Sequence, residues 1–229
     1  MTAQVIERDK LGALTKIGQG GQGVVYAAPN VKTKFAASMV YKEYKAQTLA
    51  EIDFAALAAM PVLVEDSLSY AQAERLISMA AWPCALVEYA GASTGFVMPA
   101  IPEEFFIPLA TVKGVSSATA EFQHLLNHPS VLAARGINID DAQRYSLLRE
   151  VASGLAFLHK HGVCVGDISP KNSCPTIPWT WGCIGCFDSY VRDCQSGGRA
   201  ISPTMGDMTQ GGLVKGGGSP VRGRNCISR

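Results

Sequence analysis

No apolar run in the 229-residue sequence approaches the roughly 20 residues that a membrane-spanning helix requires. Met1–Lys10 also lacks the basic flank and apolar core of a secretory signal. Neither sign of charge is in excess. Twenty Lys and Arg face nineteen Asp and Glu, for a net charge of +1, so there is no global electrostatic case for nucleic acid or a membrane surface. Charged residues make up only 17% and aromatics 8%, yet 48% of the chain is apolar. That composition supplies a core and excludes a disordered chain. The expectation is a soluble, cytoplasmic protein with one sizeable domain or two small ones. Cysteine is present at an odd count of seven, five of them after Asn172. Without an export signal, free thiols are expected over a disulfide framework. There is no internal repeat.

What is present falls into three regions. Residues 1–100 alternate short strand-like runs with a helical stretch. The strand candidates are Ala13–Ile17, Val24–Ala27, Phe35–Lys42, Cys84–Tyr89 and Thr94–Met98, short apolar or alternating runs, all but the third bounded by Gly, Pro or Asn. Leu49–Ala81 reads as helix interrupted by Pro61, and is strongest over Tyr70–Ala81. Residues 100 to about 172 read as mainly helical. Within Asp140–Lys160, Leu148, Val151, Leu155 and Leu158 recur at spacings of three and four, which predicts one apolar face. Asn138 or Asp140 is placed to cap this helix and Gly162 to end it. Beyond residue 172 the chain has no Glu, one Leu and eleven Gly. Its GGLVKGGGSPVRGRN stretch has no period, and the last 25 or so residues read as disordered.

The chemistry begins at Ile17-Gly18-Gln19-Gly20-Gly21-Gln22-Gly23-Val24-Val25-Tyr26. Gly18, Gly20 and Gly23 form G-x-G-x-x-G, a pattern that suits close approach of backbone to phosphate oxygens and tolerates positive φ. The same glycines also fit an ordinary hairpin. A dinucleotide-binding loop would open a helix at this point. Here Val24-Val25-Tyr26 follows, and paired β-branched residues favour strand. A P-loop would end in Gly-Lys-Ser/Thr, which is missing. Strand, glycine turn, strand is the arrangement of a kinase nucleotide lid.

Downstream residues extend the pattern. Ala37-Ser38-Met39-Val40-Tyr41-Lys42 sets a Lys on the next strand, with Lys45 a nearby competitor. Glu74 stands on the helix that ends before Trp82-Pro83, with Glu65 as the alternative. Gly95-Phe96-Val97-Met98-Pro99-Ala100-Ile101 follows the last strand of this half. His161-Gly162-Val163-Cys164-Val165-Gly166-Asp167-Ile168-Ser169-Pro170-Lys171-Asn172 follows the long amphipathic helix.

These segments resemble the protein-kinase superfamily. Tyr-Lys-Glu-Tyr-Lys, Gly-Phe-Val-Met-Pro and Gly-Asp-Ile-Ser-Pro-Lys-Asn look like a bacterial subgroup of uncharacterised kinase-like proteins. Some members of that subgroup carry a helix-hairpin-helix DNA-binding segment, and none is visible here. The resemblance implies an α+β fold: a β-rich N-lobe with one main helix over 1–100, a partial helical C-lobe over 101–195, and a disordered tail over 196–229. It implies ATP and Mg²⁺ as cofactors, with Gly18, Gly20, Gly23 and Val25 over the nucleotide. Lys42 would contact the α- and β-phosphates, positioned by Glu74. Met98 would lie near the gatekeeper position. Because Pro99 has no N–H, adenine contacts would fall to the Pro99 carbonyl and the Ala100–Ile101 backbone. Asp167 would orient the accepting hydroxyl, Asn172 would hold metal, and Asp188 would be the second metal ligand, with Asp193 as its alternative.

The departures are specific. Val165 and Gly166 replace the His-Arg that usually precedes the Asp, so control through an activation-loop phosphate is not expected. Ser169 stands where the family has Lys, and Gly166-Asp167 also suggests small-molecule phosphotransferases of the same superfamily. Asp188 lacks the following Phe-Gly, and there is no A-P-E. The expected activity is ATP-dependent phosphorylation of Ser/Thr-type hydroxyls on an unspecified protein or small-molecule acceptor. The alternative is a pseudokinase, a nucleotide-binding module without catalysis. The glycine-rich tail is expected to mark a truncated or frameshifted C-lobe, with a natural minimal form as the other explanation. Cys174, Cys183, Cys186 and Cys194 offer a zinc-thiolate reading of the tail, although only one CxxC knuckle is present.

Overall fold

The computed structural model describes residues 4–112 and 114–165, together with the backbone of three short strands beyond them. It is an α+β fold built on a mixed six-stranded sheet. Strands β1 (Val5–Glu7), β2 (Thr15–Gln19), β3 (Gly23–Ala27), β4 (Met39–Tyr44), β5 (Ala85–Tyr89) and β6 (Ala92–Pro99) lie in the order β1-β5-β6-β4-β3-β2. All neighbours are antiparallel except β1 and β5, which run parallel with Val5 opposite Leu86. The five strands expected from short apolar runs are all present. The sixth, β1, is only three residues long and carries no alternation to announce it.

Alternation along the strands gives the sheet two apolar faces. Met39, Tyr41, Ala85, Val87 and Val97 pack on Leu11 and Ala28 on one face. Tyr44, Leu86 and Phe96 pack on Ile52 and Leu57 on the other. That second face is covered by the segment holding α1 (Ala46–Leu49) and α2 (Phe54–Val62). Asp53 starts α2 by accepting the Ala56 amide on Oδ1 at 3.0 Å.

Pro61 does not break the helical stretch. It is buried inside α2, which continues into a π-turn over Leu63–Ser67. The break comes at Leu68, which is extended. Ser69 then opens α3 (Tyr70–Met79), with its amide donating to Gln72 Oε1 at 2.9 Å. The single main helix expected here is therefore two. Pro61, the second-last residue of α2, is carried within the helix, and the polar N-cap Ser69 marks where the second helix begins.

The second half is not mainly helical at its start. Phe106–Thr111 (β7) and Gly114–Thr119 (β8) form an antiparallel hairpin. Ile107 and Leu109 point inward while Phe106, Pro108 and Ala110 face out, which is the period of two of a half-buried strand. Helices α4 (Pro129–Ala134) and α5 (Asp141–Lys160) follow. Of the two expected caps, Asp140 is the one used. Its Oδ1 accepts the Gln143 amide at 2.7 Å, and Gln143 Oε1 accepts the Asp140 amide at 2.9 Å. Gly162 follows the end of the helix at φ +77°, in the left-handed region where glycine is favoured.

The buried face of α5 keeps most of the expected stripe: Leu158 is buried, Val151 and Leu155 are half-buried, and Leu148 alone of the four is turned out. Leu147, Gly154 and Leu158 are buried, while Leu148 is 50% exposed. Leu147 joins Ile107, Leu109, Leu125, Leu132 and Ile137 in one cluster. Leu158 joins Ala73, Leu76 and Ile77 of α3, with Trp82 and Val163. Gln72 and His161 meet across this second contact at 3.1 Å, and Arg75 lies over the Phe157 ring. After α5, β9 (Val163–Val165) pairs with β12 (Val191–Asp193), and β10 (Cys174–Pro175) pairs with β11 (Gly182–Cys183). The tail expected to be disordered lies outside the described residues. Among the described residues, no helix is long and apolar enough to cross a membrane.

Candidate functional site

The glycine turn joins β2 to β3. Gly18 pairs with Val25 and Gln19 with Val24, after a register shift that leaves Ile17 unpaired and exposed. The turn closes with the Gly20 amide on the Gly23 carbonyl at 2.9 Å. None of its glycines has a positive φ, so the expected conformational need for glycine is not met here. Gly23 is required for a different reason. A Cβ there would stand 2.5 Å from the Glu43 carbonyl oxygen on β4. At Gly20 a Cβ would meet nothing within 4 Å. Neither backbone conformation nor any described neighbour demands glycine at position 20.

The ladder brings this turn beside Lys42. Val25, Lys42 and Phe96 are register partners across β3, β4 and β6, and the next row is Ala27, Val40 and Met98. Gly23, Val25, Lys42 and Met98 thus share the face that carries Tyr44 and Phe96. Lys42 is 4% exposed. Its Nζ lies 5.1 Å from the Tyr44 ring centroid and 5.9 Å from that of Phe96. Two aromatic faces therefore help to hold a buried ammonium.

Lys45, the competitor by sequence, has a separate place. Its Nζ donates to the carbonyls of Gly20 at 2.7 Å and Gly21 at 2.9 Å, and its amide donates to the Gln22 carbonyl at 2.8 Å. Gln22 is 7% exposed, and its Oε1 accepts no hydrogen bond among the described residues. Leaving such an acceptor unsatisfied costs about 1–3 kcal/mol. Sequence reasoning gave Gln22 no role. Its position inside the glycine pattern was the only signal available.

Other expected residues are placed as follows. The Ala100 amide donates to the Ser38 carbonyl at 3.0 Å, so it is already committed and the expected donor set there narrows to Ile101. Glu74 is exposed on α3, and among the described residues it forms no ion pair with Lys42. Glu65 is also exposed and lies near Cys84, whose thiol it helps push up. Asp167, Asn172 and Asp188 lie outside the described residues, as do Cys186 and Cys194 and the side chains of Cys174, Cys183 and Asp193. Among the described residues no group of three or more His, Cys, Asp or Glu is arranged to hold a metal ion. Cys84 is a free thiol. Cys164 is disulfide-bonded, against the expectation of free thiols.

The opposite face of the sheet is a tight polar contact under an apolar layer. Tyr41 is fully buried with its hydroxyl 2.7 Å from Thr94 Oγ1, and burial pushes its pKa up to about 12. Arg8 Nε donates to Glu43 at 3.2 Å and its guanidinium lies over Tyr89, tying the segment after β1 to β4 and β5. This contact fixes the strand that carries Lys42 from behind.

No protein-family model matches the chain, and no curated protein matches it either.

Proposed function

We propose that this chain is an ATP-binding, protein-kinase-like phosphotransferase that acts on Ser/Thr-type hydroxyls. One observation carries the reading. A glycine turn whose Gly20 has no neighbour among the described residues to explain it shares a sheet face with Val25, Met98 and the buried Lys42. A ligand that approaches the backbone at Gly20 supplies the missing reason, and a polyphosphate suits both the turn amides and an ammonium. Adenine would lie against Val25 and Met98 and reach the Ile101 amide. Lys42 would stabilise charge on the phosphates. In this reading Asp167 orients the acceptor and Asn172 and Asp188 hold Mg²⁺, which would neutralise phosphate charge.

A second reading, nucleotide binding without catalysis, draws on Glu74. That carboxylate is exposed and does not meet Lys42, whereas phosphoryl transfer of this type requires the pair to be in place.

Thermal unfolding with ATP, with and without Mg²⁺, tests both readings on wild type and Lys42→Ala. Ligand binding to the native state stabilises it by about 2.7 kcal/mol at roughly a hundred-fold excess over Kd. A shift in wild type that Lys42→Ala removes supports the site. No shift in wild type sinks both readings. A shift independent of Mg²⁺, with no release of γ-phosphate, selects the non-catalytic one.

A further inference from the structure

We infer that Lys45 is a positioning residue that presets the glycine turn to receive a polyphosphate, a role separate from that of Lys42. The inference rests on the nucleotide-binding reading above and assigns the device that shapes its phosphate cradle.

The argument starts from the peptide plane. In a trans peptide the carbonyl and the following N–H point in opposite directions. Lys45 Nζ holds the carbonyls of Gly20 and Gly21 at 2.7 and 2.9 Å. The amides of Gly21 and Gln22 therefore point to the side away from Lys45. Neither amide donates to an acceptor among the described residues, while the Gly20 amide is already used on the Gly23 carbonyl. Two successive open amides on one side of a turn make an anion-binding concavity. The Lys45 amide on the Gln22 carbonyl at 2.8 Å fixes the third peptide of the turn.

A second observation points to the same place. Gln22, whose amide stands open, is buried, and its side-chain Oε1 accepts no hydrogen bond among the described residues, so polar capacity beside the open amides is left unused. Lys45 holds the turn in place through two charge-assisted bonds, which are stronger than neutral ones. Glycines at 20 and 21 would otherwise sample many backbone states, and binding would bear the cost of ordering them. Presetting them raises affinity for a ligand that uses their amides.

The test uses the full chain and three probes: ATP, adenosine and inorganic tripolyphosphate. Titration calorimetry gives affinities, and ¹⁵N amide shifts report Gly21 and Gln22. In wild type, tripolyphosphate and ATP shift both amides. Lys45→Ala weakens ATP and tripolyphosphate by about ten-fold or more, as expected from two lost charge-assisted bonds, and leaves adenosine binding unchanged. Lys45→Arg, which can still donate to both carbonyls, recovers most of the loss. Unchanged adenosine affinity also shows that the variant is folded. The inference is overturned if Lys45→Ala binds ATP like wild type, or weakens adenosine equally. It is overturned too if the amides of Gly21 and Gln22 stay still while ATP binds. If wild type binds neither ATP nor adenosine, the nucleotide reading itself fails, and the inference falls with it.

Discussion

Gly95 on β6 lies so close to Lys42 on β4 that a methyl group at position 95 would overlap the Lys42 carbonyl. The same methyl would stand 3.1 Å from the Tyr41 ring. Residue 95 pairs with Glu43, immediately beside the Lys42–Phe96 pair. The strand that presents the buried lysine is therefore held at a spacing that only glycine allows. Gly95→Ala should cost about 1–3 kcal/mol, the usual range for overpacking in a filled core. Urea unfolding measures that cost. Because β4 must shift to make room, the ATP-dependent rise in Tm should also shrink, even though residue 95 carries no functional side chain.

The start of α5 gives a separable effect. Asp140 and Gln143 exchange two hydrogen bonds at 2.7 and 2.9 Å on an exposed surface. Asp140→Ala should destabilise the fold by about 1 kcal/mol through the lost cap. Asp140→Ser should recover most of that loss. Neither change should alter nucleotide affinity, since both lie away from the sheet face that carries Lys42.

At high pH the buried acids set the response. Burial first, and then Glu65, push the Cys84 thiol from 9.0 up to about 12, and burial holds Tyr41 at about 12. Both groups are neutral in the folded chain where the unfolded chain would already lose protons. The stability they contribute is complete below pH 9 and is lost as pH rises from 9 towards 12. Urea midpoints should fall across that window, and Cys84→Ala should flatten the first part of the fall. At neutral pH Cys84, half-buried and held protonated, should react with a thiol reagent more slowly than the same thiol in the unfolded chain. Equal labelling rates in folded and unfolded protein would contradict the raised pKa.

At low pH His124 matters. Burial lowers its pKa from 6.5, an effect that Arg135 reinforces and Glu121 opposes, and its Nδ1 lies 3.3 Å from Arg135 Nη1. The neutral ring is the form that suits the fold. Its contribution is complete above pH 6.5 and is lost as pH falls through the lowered folded value. Stability should decline below pH 6.5, and His124→Gln should remove part of that slope. NMR titration of the ring would check the direction of the shift independently.

The strands around Lys42 were legible because each is a short apolar run, and all but the one carrying Lys42 are ended by Gly, Pro or Asn. That Lys42, Val25 and Met98 share one face follows from the register of β3, β4 and β6, which the sequence does not state. The expected α5 stripe departs from the buried one at Leu148, for a local reason. Leu147 and Leu148 are adjacent, so two stripes fit the same helix. The true one runs through Gly154, which adds nothing to an apolar pattern. The β7–β8 hairpin was overlooked although Ile107 and Leu109 alternate with outward-facing neighbours. Pro108 and the polar Ser116 and Ser117 weakened that signal. The arrangement at Lys45 was beyond sequence reading. Which carbonyls an ammonium meets depends on the bend of the turn, and composition does not record that bend.

The parallel pairing of β1 with β5 also bears on how the chain assembles. Val5 meets Leu86 at a separation of 81 positions in sequence, whereas β2, β3 and β4 meet within hairpin range. Contacts of such separation form late, because loop-closure entropy opposes them until the intervening chain is ordered. Until β1 arrives, the hydrogen-bonding edge of β5 at Leu86 and Val87 stands open, and open edges recruit other chains. Three residues at the beginning of the sheet thus act as a selvedge along β5, finishing the cloth at a border that would otherwise fray into aggregates.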